Sequence, residues 1–401
     1  MQAIVAALLF SMTVLNYLDR QALSVVAPVM RRELGLAQAE YAWAVTAFLI
    51  AYAVMYTGSG MVLDRIGYRA GLALFVLLWS TFSALHASIG GLASLVAFRF
   101  LLGLAEPGGL TGAVKTVSAR FNAAQRGLVT GFFIAGTAVG SLIATPLIVL
   151  LSVRYGWRAA FLIAGAAGFL WAPLWLLATR NGRHDATPAE PLGEKRRGLA
   201  VLKDRRARAY VVARLFGDGL PYFLMFWLPE YLMSARHFSF ALVGLIGWIP
   251  FLATDAGALL GGWLSGRLVR SGLPPLFSRK TMMSTASLFV GAGAWLQCFD
   301  APWQVLLSLC FCTFGAGIWS ANSHSIPGDA FPSSVVATVH GLGGSAGAIG
   351  GILLNTAVGQ LSEAGSYWTI FLILATLQPL GVSSLWLWLH DEQGRRRELV
   401  T

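Results

Sequence analysis

The sequence predicts an all-α membrane protein of twelve transmembrane helices, arranged as two pseudo-symmetric bundles of six. Three observations predict it: too little charge to cover a water-exposed surface, long apolar segments along the whole chain, and a repeat that divides them six and six. Of the 401 residues, 56% are hydrophobic and only 12% are charged, and the mean hydropathy is +0.67. A soluble domain carries about a quarter charged residues. With half that share the chain suits hydrocarbon as a solvent, and a helix needs roughly 20 apolar residues to cross it with every backbone group satisfied.

The apolar segments lie near 3–30, 41–63, 70–89, 92–119, 126–151 and 158–179, then near 209–234, 240–266, 280–298, 303–326, 334–361 and 367–389. The stretch between the sixth and seventh is rich in Arg, Lys, Asp, Glu and Pro and reads as a linker. The predicted organisation is an N-terminal bundle over 1–180, a linker over 181–207, a C-terminal bundle over 208–390 and a tail over 391–401. The first segment holds Asn16, Asp19 and Arg20 and lacks a cleavage site. It therefore reads as the first span and not as a signal peptide.

A formal charge of +11 would suit a nucleic-acid partner if the basic residues shared a face. They are instead bunched between apolar segments, which excludes that partner and points to topogenic charge. One alternating set of loops holds Arg65, Arg69, Arg120, Arg126, the 180–208 cluster, Arg267, Arg270, Arg279, Lys280 and Arg395 to Arg397. The opposite set holds only Arg31, Arg32, Arg154, Arg158 and Arg236. By the positive-inside rule the first set and both termini are cytoplasmic, and the expected setting is a bacterial inner membrane. Cys298, Cys310 and Cys312 all lie in apolar stretches, where they read as small apolar fillers and not as a disulfide framework or metal site.

An internal repeat supports the two halves. GMVLDRIGYR (60–69) follows the second span and GWLSGRLVR (262–270) follows the eighth, with the spacing Gly60 to Arg65 preserved as Gly262 to Arg267. Spans five and eleven share glycines nine apart, Gly131 with Gly140 and Gly341 with Gly350. A duplicated six-helix unit leaves this kind of correspondence.

The GxxxDRxGxR pattern of Gly60, Asp64, Arg65, Gly67 and Arg69 resembles the signature loop of the major facilitator superfamily. Within it the chain is similar to the anion:cation symporter group, especially its bacterial hexuronate and hexonate transporters. NYLDR (16–20), FRFLLGLAEPGG (98–109), RLFGDGLPYFLMFWLPEYL (214–232), GALLGGWL (257–264), SRK (278–280) and the run from Trp319 through DAFPSSVVATVHGLGG (329–344) carry that resemblance. The loop residues are expected to be structural or gating machinery, with Asp64 capping a neighbouring helix end and pairing with an arginine. Gly266 replaces the aspartate in the second repeat, so that half's latch must be weaker or differently built. Gly127, Gly136 and Gly140 match part of the span-five pattern of proton-coupled antiporters, but Ser141 stands where its proline would, which favours symport.

Ionisable residues inside spans are functional candidates, because each costs several kcal/mol unless paired or wetted. Arg20 offers a permanently charged planar fork that matches a carboxylate, or it pairs with Asp19. The resemblance implies the anion-binding role for Arg20. Asp19 and Glu106 are the candidate proton carriers, since a carboxyl poised between burial and nearby arginines can titrate as its surroundings change. The resemblance links these acids to proton coupling and Arg99 to a switching pair with Glu106. Arg99 and Glu106 are seven apart, roughly 10 Å in rise, so spacing alone does not assure a bond. Pro107, Gly108 and Gly109 should loosen the helix that follows.

Tyr17, Tyr52 and Tyr56 combine apolar bodies with a hydroxyl for a sugar acid, and Tyr52 and Tyr56 share a face at i, i+4. Trp319 and Asn322 share a face at i, i+3 and could stack on and bond a polyol. Thr137 and Ser345 complete the candidate substrate residues. Arg214 and Asp218, at i, i+4, read as a helix-stabilising pair, Asp255 as a buried acid with no obvious partner, and His324 as a satisfied polar residue near a helix end. No nucleophile–base pair or metal cluster at catalytic spacing occurs, so no enzyme, metal or cofactor is expected. The resemblance implies a monomeric, proton-coupled symporter in membrane lipid that imports an organic anion, above all a hexuronate or hexonate. Another organic anion, export, or a sensor on the same fold are the alternatives, the last lacking a signalling segment in the short linker.

Overall fold

The computed structural model describes residues 1–180, 198–291, 299, 301–363 and 367–389. Most of the predicted linker, all of the tail, and Cys298 lie outside the described residues. Every predicted span has a helix. α1 (Gln2–Leu34) is the first, and α2 (Gln38–Leu85) carries both the second and the third. α3 (Leu92–Ala105) and α4 (Pro107–Arg120) are the halves of the fourth, α5 (Ala123–Tyr155) is the fifth and α6 (Trp157–Ala178) the sixth. α7 (Arg205–Gly217) and α8 (Gly219–Glu230) form the seventh, α9 (Phe240–Ile246) and α10 (Ile249–Arg270) the eighth, and α11 (Pro275–Gly291) the ninth. α12 (Pro302–Ser323) with the short α13 (Ile326–Ala330) is the tenth, α14 (Val336–Glu363) the eleventh and α15 (Tyr367–Trp388) the twelfth.

Among the described residues, 8 helical runs are long and apolar enough to cross a membrane alone. The number falls short of twelve for local reasons. The second and third spans run together, the pieces of the seventh and eighth are each too short or too polar taken alone, and part of the ninth lies outside the described residues. The Gly60–Arg69 stretch, expected as a loop, is helical except at Gly67, where φ is 80 and ψ is 162. Glycine adopts a positive φ with little strain, so one residue makes the turn. Asp64 and Arg65 consequently sit on a helix and not on a loop.

The two halves repeat their packing. α1 lies on α6 as α7 lies on α15, α2 on α3 and α4 as α10 on α12, and α2 on α6 as α11 on α15. Leu18, Leu23, Val26, Ile148 and Phe161 belong to one core; Phe223, Leu228, Leu309, Ile370 and Phe371 belong to another. Leu142, Val153, Leu170 and Leu288 are each at least 70% exposed on outward helix faces, a surface that suits lipid contact. Two compact units result, one from 1–120, 132–192 and 332–341 and the other from 121–131, 193–331 and 342–401. The start of α14 thus belongs with the first unit and the start of α5 with the second.

Gly60 shows how tightly the first unit closes. A side chain there would run into the main-chain carbonyl of Ala337 and the Cα of Thr338. Backbone cannot step aside as a flexible side chain can. Gly60→Leu is expected to destabilise the protein by about 1–3 kcal/mol through overpacking, read as a lower melting temperature in detergent. An unchanged melting temperature would refute the close approach.

Candidate functional site

The centre of the first unit is built on α1, α2 and the broken fourth span. Gly103, between Arg99 and Glu106 on α3, lets that helix rest directly on the backbone of α2 at Phe48. The chain then breaks at Glu106, between α3 and Pro107 at the start of α4. Proline cannot donate a backbone hydrogen bond and its ring crowds the preceding turn, so the loosening expected from Pro107 falls at the acid itself.

Arg20 meets Glu106 across this gap. Nε donates to Oε2 at 3.0 Å and Nη2 donates to the same oxygen at 2.6 Å. The Glu106 side chain is fully buried, whereas that of Arg20 keeps 21% of its surface. The guanidinium lies 4.8 Å from the ring centroid of Tyr52, 5.0 Å from Tyr17 and 5.6 Å from Phe48. Aromatic faces attract a cation most where water is excluded, so the three rings hold the fork in place. Asp19 does not take Arg20 as its partner; its carboxylate accepts from Ser83 Oγ at 2.7 Å.

Arg99 is not bonded to Glu106 in this state. It is 4% exposed, its guanidinium lies 5.7 Å from the Phe48 ring centroid, and its Nε and Nη2 have no hydrogen-bond partner among the described residues. Among the described residues, Glu106 Oε1 and Asn16 Nδ2 are also buried without one. A buried charge left short of partners is expensive. The arrangement therefore holds one satisfied arginine, one under-satisfied arginine, and a carboxylate with one oxygen unpartnered among the described residues.

The other aromatic candidates differ in access. Tyr52 and Tyr56 meet edge to face with centroids 5.2 Å apart; Tyr52 is half-buried beside Arg20, but Tyr56 is buried against His340, 6.0 Å away. His340 Nδ1 lies 3.3 Å from Thr111 Oγ1, a buried contact that sequence reasoning missed. Gly136 and Gly140 bring α5 onto the backbone of α1 near Thr13, Val14 and Tyr17, with the half-buried Thr137 between them.

In the second unit, Trp319 and Asn322 are both buried. Trp319 Nε1 donates to Asp218 Oδ1 at 3.0 Å, and Asn322 Nδ2 donates back to the carbonyl of Ile318 at 2.9 Å. Neither presents an open face for stacking on a polyol. Ser345 on α14 is half-buried. Arg214 and Asp218 are paired as expected, but the helix ends at Gly217 and restarts at Gly219. The pair spans a break and does not stabilise one continuous helix. Asp255 is half-buried in α10 with no hydrogen bond or ion pair among the described residues. His324 sits on the carbonyl of Ser320 at 2.7 Å, as a satisfied polar group.

Asp64 does cap a helix, but its ionic partner is a lysine and not an arginine. Its carboxylate accepts from the backbone amides of Thr338 at 2.7 Å and Ala337 at 3.1 Å, at the start of α14. Lys115 Nζ donates to it at 2.6 Å and to the carbonyl of Ser333 at 3.3 Å. The positive end of a long helix and a buried ammonium together stabilise the ionised acid. Arg65 is exposed, and Arg69 donates to the Leu176 carbonyl near the end of α6 at 3.2 Å. In the sequence Lys115 shows as a lone charge in the apolar run GAVKTV, the signal that marks it as a buried partner.

The second repeat is differently built. Gly266 rests on the backbone of Ala124, and the charge has moved to Asp329 on α13. The buried Asp329 accepts from Arg279 Nε at 2.9 Å and from Arg126 Nη1 at 2.6 Å. Arg279 also donates to the carbonyl of Ala123, at 2.6 Å, and to Ser265 Oγ. Arg279 and Lys280, expected in a basic loop, are buried in α11; Lys280 donates to the Leu389 carbonyl at 2.9 Å. Counting charge places basic residues near a membrane face, but it does not distinguish those facing water from those tying helix ends together.

Repeated six-helix packing, membrane-facing apolar surfaces and charge pairs at the breaks of two spans define a membrane transport protein. The chain belongs to the Major Facilitator Superfamily, whose family model matches residues 9–355. It is 28% identical over 398 residues to the hexuronate transporter of Escherichia coli (strain K12), covering 95% of this chain and 92% of that one. It is likewise 28% identical over 390 residues to the probable galactarate/D-glucarate transporter GudP of Bacillus subtilis (strain 168), with coverage of 90% and 86%. Among solved structures, the major facilitator transporter FucP in the outward conformation matches with a TM-score of 0.76 at 17% identity, covering 94% of this chain and 97% of that one. At that identity, the structural likeness speaks to the fold.

Proposed function

We propose that this chain is a proton-coupled symporter of the bacterial inner membrane, with both termini cytoplasmic, that imports a sugar acid such as galacturonate or glucuronate. The Arg20–Glu106 pair carries the proposal. A buried glutamate occupies the fork of a partly accessible arginine with only one of its oxygens. A proton on Glu106 removes the charge that holds Arg20, leaving the fork for a substrate carboxylate. Arg99 can then help hold Glu106 once it is ionised again. Tyr17 and Tyr52, flanking Arg20, offer hydroxyls to the sugar. Proton and anion binding are thereby linked, and an inward proton gradient drives accumulation. The bundles over 1–180 and 208–390 rock to open the Arg20 site to each side in turn, with Asp64, Lys115 and the start of α14 as one latch.

The names of the relatives in Escherichia coli and Bacillus subtilis support a sugar acid as cargo. The test is uptake of labelled galacturonate and glucuronate into proteoliposomes, with and without an inward proton gradient. Accumulation above the outside concentration only when the gradient is imposed supports the proposal. No uptake of either acid by a preparation that moves another organic anion overturns the choice of cargo, and uptake indifferent to the gradient overturns the coupling.

A further inference from the structure

The second unit contains a carboxylate–arginine pair that the proposed cycle does not use. The seventh span breaks at Asp218, between α7 and α8. The cause is local: Gly217 would give its carbonyl to the amide of residue 221, but Pro221 has none. Gln378 Nε2 of α15 supplies the missing donor to that carbonyl at 3.3 Å. Asp218 then faces two partners at the break. One oxygen accepts from Arg214 Nε, one turn back, and the other accepts from Trp319 Nε1 of α12 at 3.0 Å. Arg214 is held in turn, 4% exposed, with Nη1 donating to the Tyr210 hydroxyl at 2.8 Å.

The seat is shaped as well as charged. Gly217 leaves room for the indole of Trp319, since a side chain there would overlap the ring, and Gly347 of α14 leaves room for the Asp218 carboxylate. The first unit has the same elements around Glu106: an acid at a helix break, a proline nearby, and an arginine holding the acid. Two spans of one chain are therefore interrupted at an acid that an arginine holds.

We propose that Asp218 is a positioning residue for transport: its carboxylate ties the broken seventh span to Trp319, so that α8 and the indole move as one. The proposal rests on the transport reading above, but its test does not depend on the cargo. Asp218→Asn keeps the size but removes the charge, which breaks the pair with Arg214 and leaves the indole a weaker acceptor. Trp319→Phe keeps an aromatic ring and removes only the N–H. Hydrogen–deuterium exchange of the whole protein in lipid nanodiscs, without substrate, reads the backbone on either side of Asp218.

Both variants are expected to speed exchange in 214–224 by about tenfold or more, with distant helices unchanged. In proteoliposomes each is expected to lower the maximal exchange rate while leaving KM within about twofold, and the double variant to be no slower than the slower single one. Unchanged backbone exchange in both variants, or rate losses that multiply in the double variant, would overturn the proposal. If Asp218→Asn fails to fold, Trp319→Phe alone carries both readings. If the wild type moves no sugar acid, the cargo assignment falls while the deuterium measurement still decides the role of Asp218.

Discussion

Glu106→Gln is expected to abolish gradient-driven accumulation while leaving substrate exchange in place. Glutamine is nearly the same size and still offers an oxygen to Arg20, so the buried site between α3 and α4 keeps its shape. It cannot take up or release a proton. Each proton moved down a gradient of one pH unit supplies about 1.4 kcal/mol, a tenfold concentration ratio. The variant should lose that ratio entirely, with inside and outside concentrations equalising. Its exchange rate should also no longer respond to an imposed proton gradient, whereas wild-type net uptake should follow that gradient. Uptake of labelled substrate into preloaded proteoliposomes, with and without an imposed proton gradient, reads both effects. Accumulation that persists in Glu106→Gln would remove this acid from the coupling step and leave Asp19, buried against Ser83, to be tested by the same measurement.

Arg20→Ala should have the largest effect on substrate capture. Hydrogen bonds to a charged partner contribute about 1.5–3 kcal/mol each, so losing both arms of the fork weakens carboxylate binding by roughly 10² to 10⁴. Arg20→Lys should recover little of this, because an ammonium has no fork and a stronger hold on water. The alanine variant also leaves the fully buried Glu106 without its counter-ion, at a stability cost of about 3–5 kcal/mol. The double variant Arg20→Ala, Glu106→Gln separates the two effects. Its melting temperature should return towards that of the wild type while binding stays lost. If binding returned together with stability, Arg20 would serve only to neutralise Glu106.

The membrane class and the positions of the spans were legible because both follow from solvent: apolar length and sparse charge are properties of the chain itself. The break beside Glu106 was legible too, since Pro107 and the two glycines after it act locally. The break at Asp218 has the same local cause, with Pro221 four residues after Gly217, yet the i, i+4 spacing of Arg214 and Asp218 predicts a continuous helix there. Partner choice is the part that sequence could not supply. Arg20 takes Glu106 and not Asp19, Asp64 takes Lys115 and not an arginine, and Trp319 points into glycines and not towards solvent. Each depends on which helices touch and at what height, and periodicity says nothing about either. Arg126, Arg279 and Asp329 show the same limit, since a charge count treats a buried clasp and a solvated loop alike.

The contact between α10 and α12 has its own consequence for handling the protein. Gly257 and Gly261 of α10 rest on the backbone of Phe314 and Ile318, and Gly317 of α12 rests on the backbone of Thr254 and Ala258. The two helices touch main chain to main chain, and little side-chain apolar surface lies between them. Such a seam is held by close van der Waals fit and not by the expulsion of water, so exchanging lipid for detergent changes little of what holds it. On solubilisation, α10 and α12 should behave as a single girder that outlasts the seams made of larger side chains, and a crystallisation or imaging effort can treat that pair as its fixed frame.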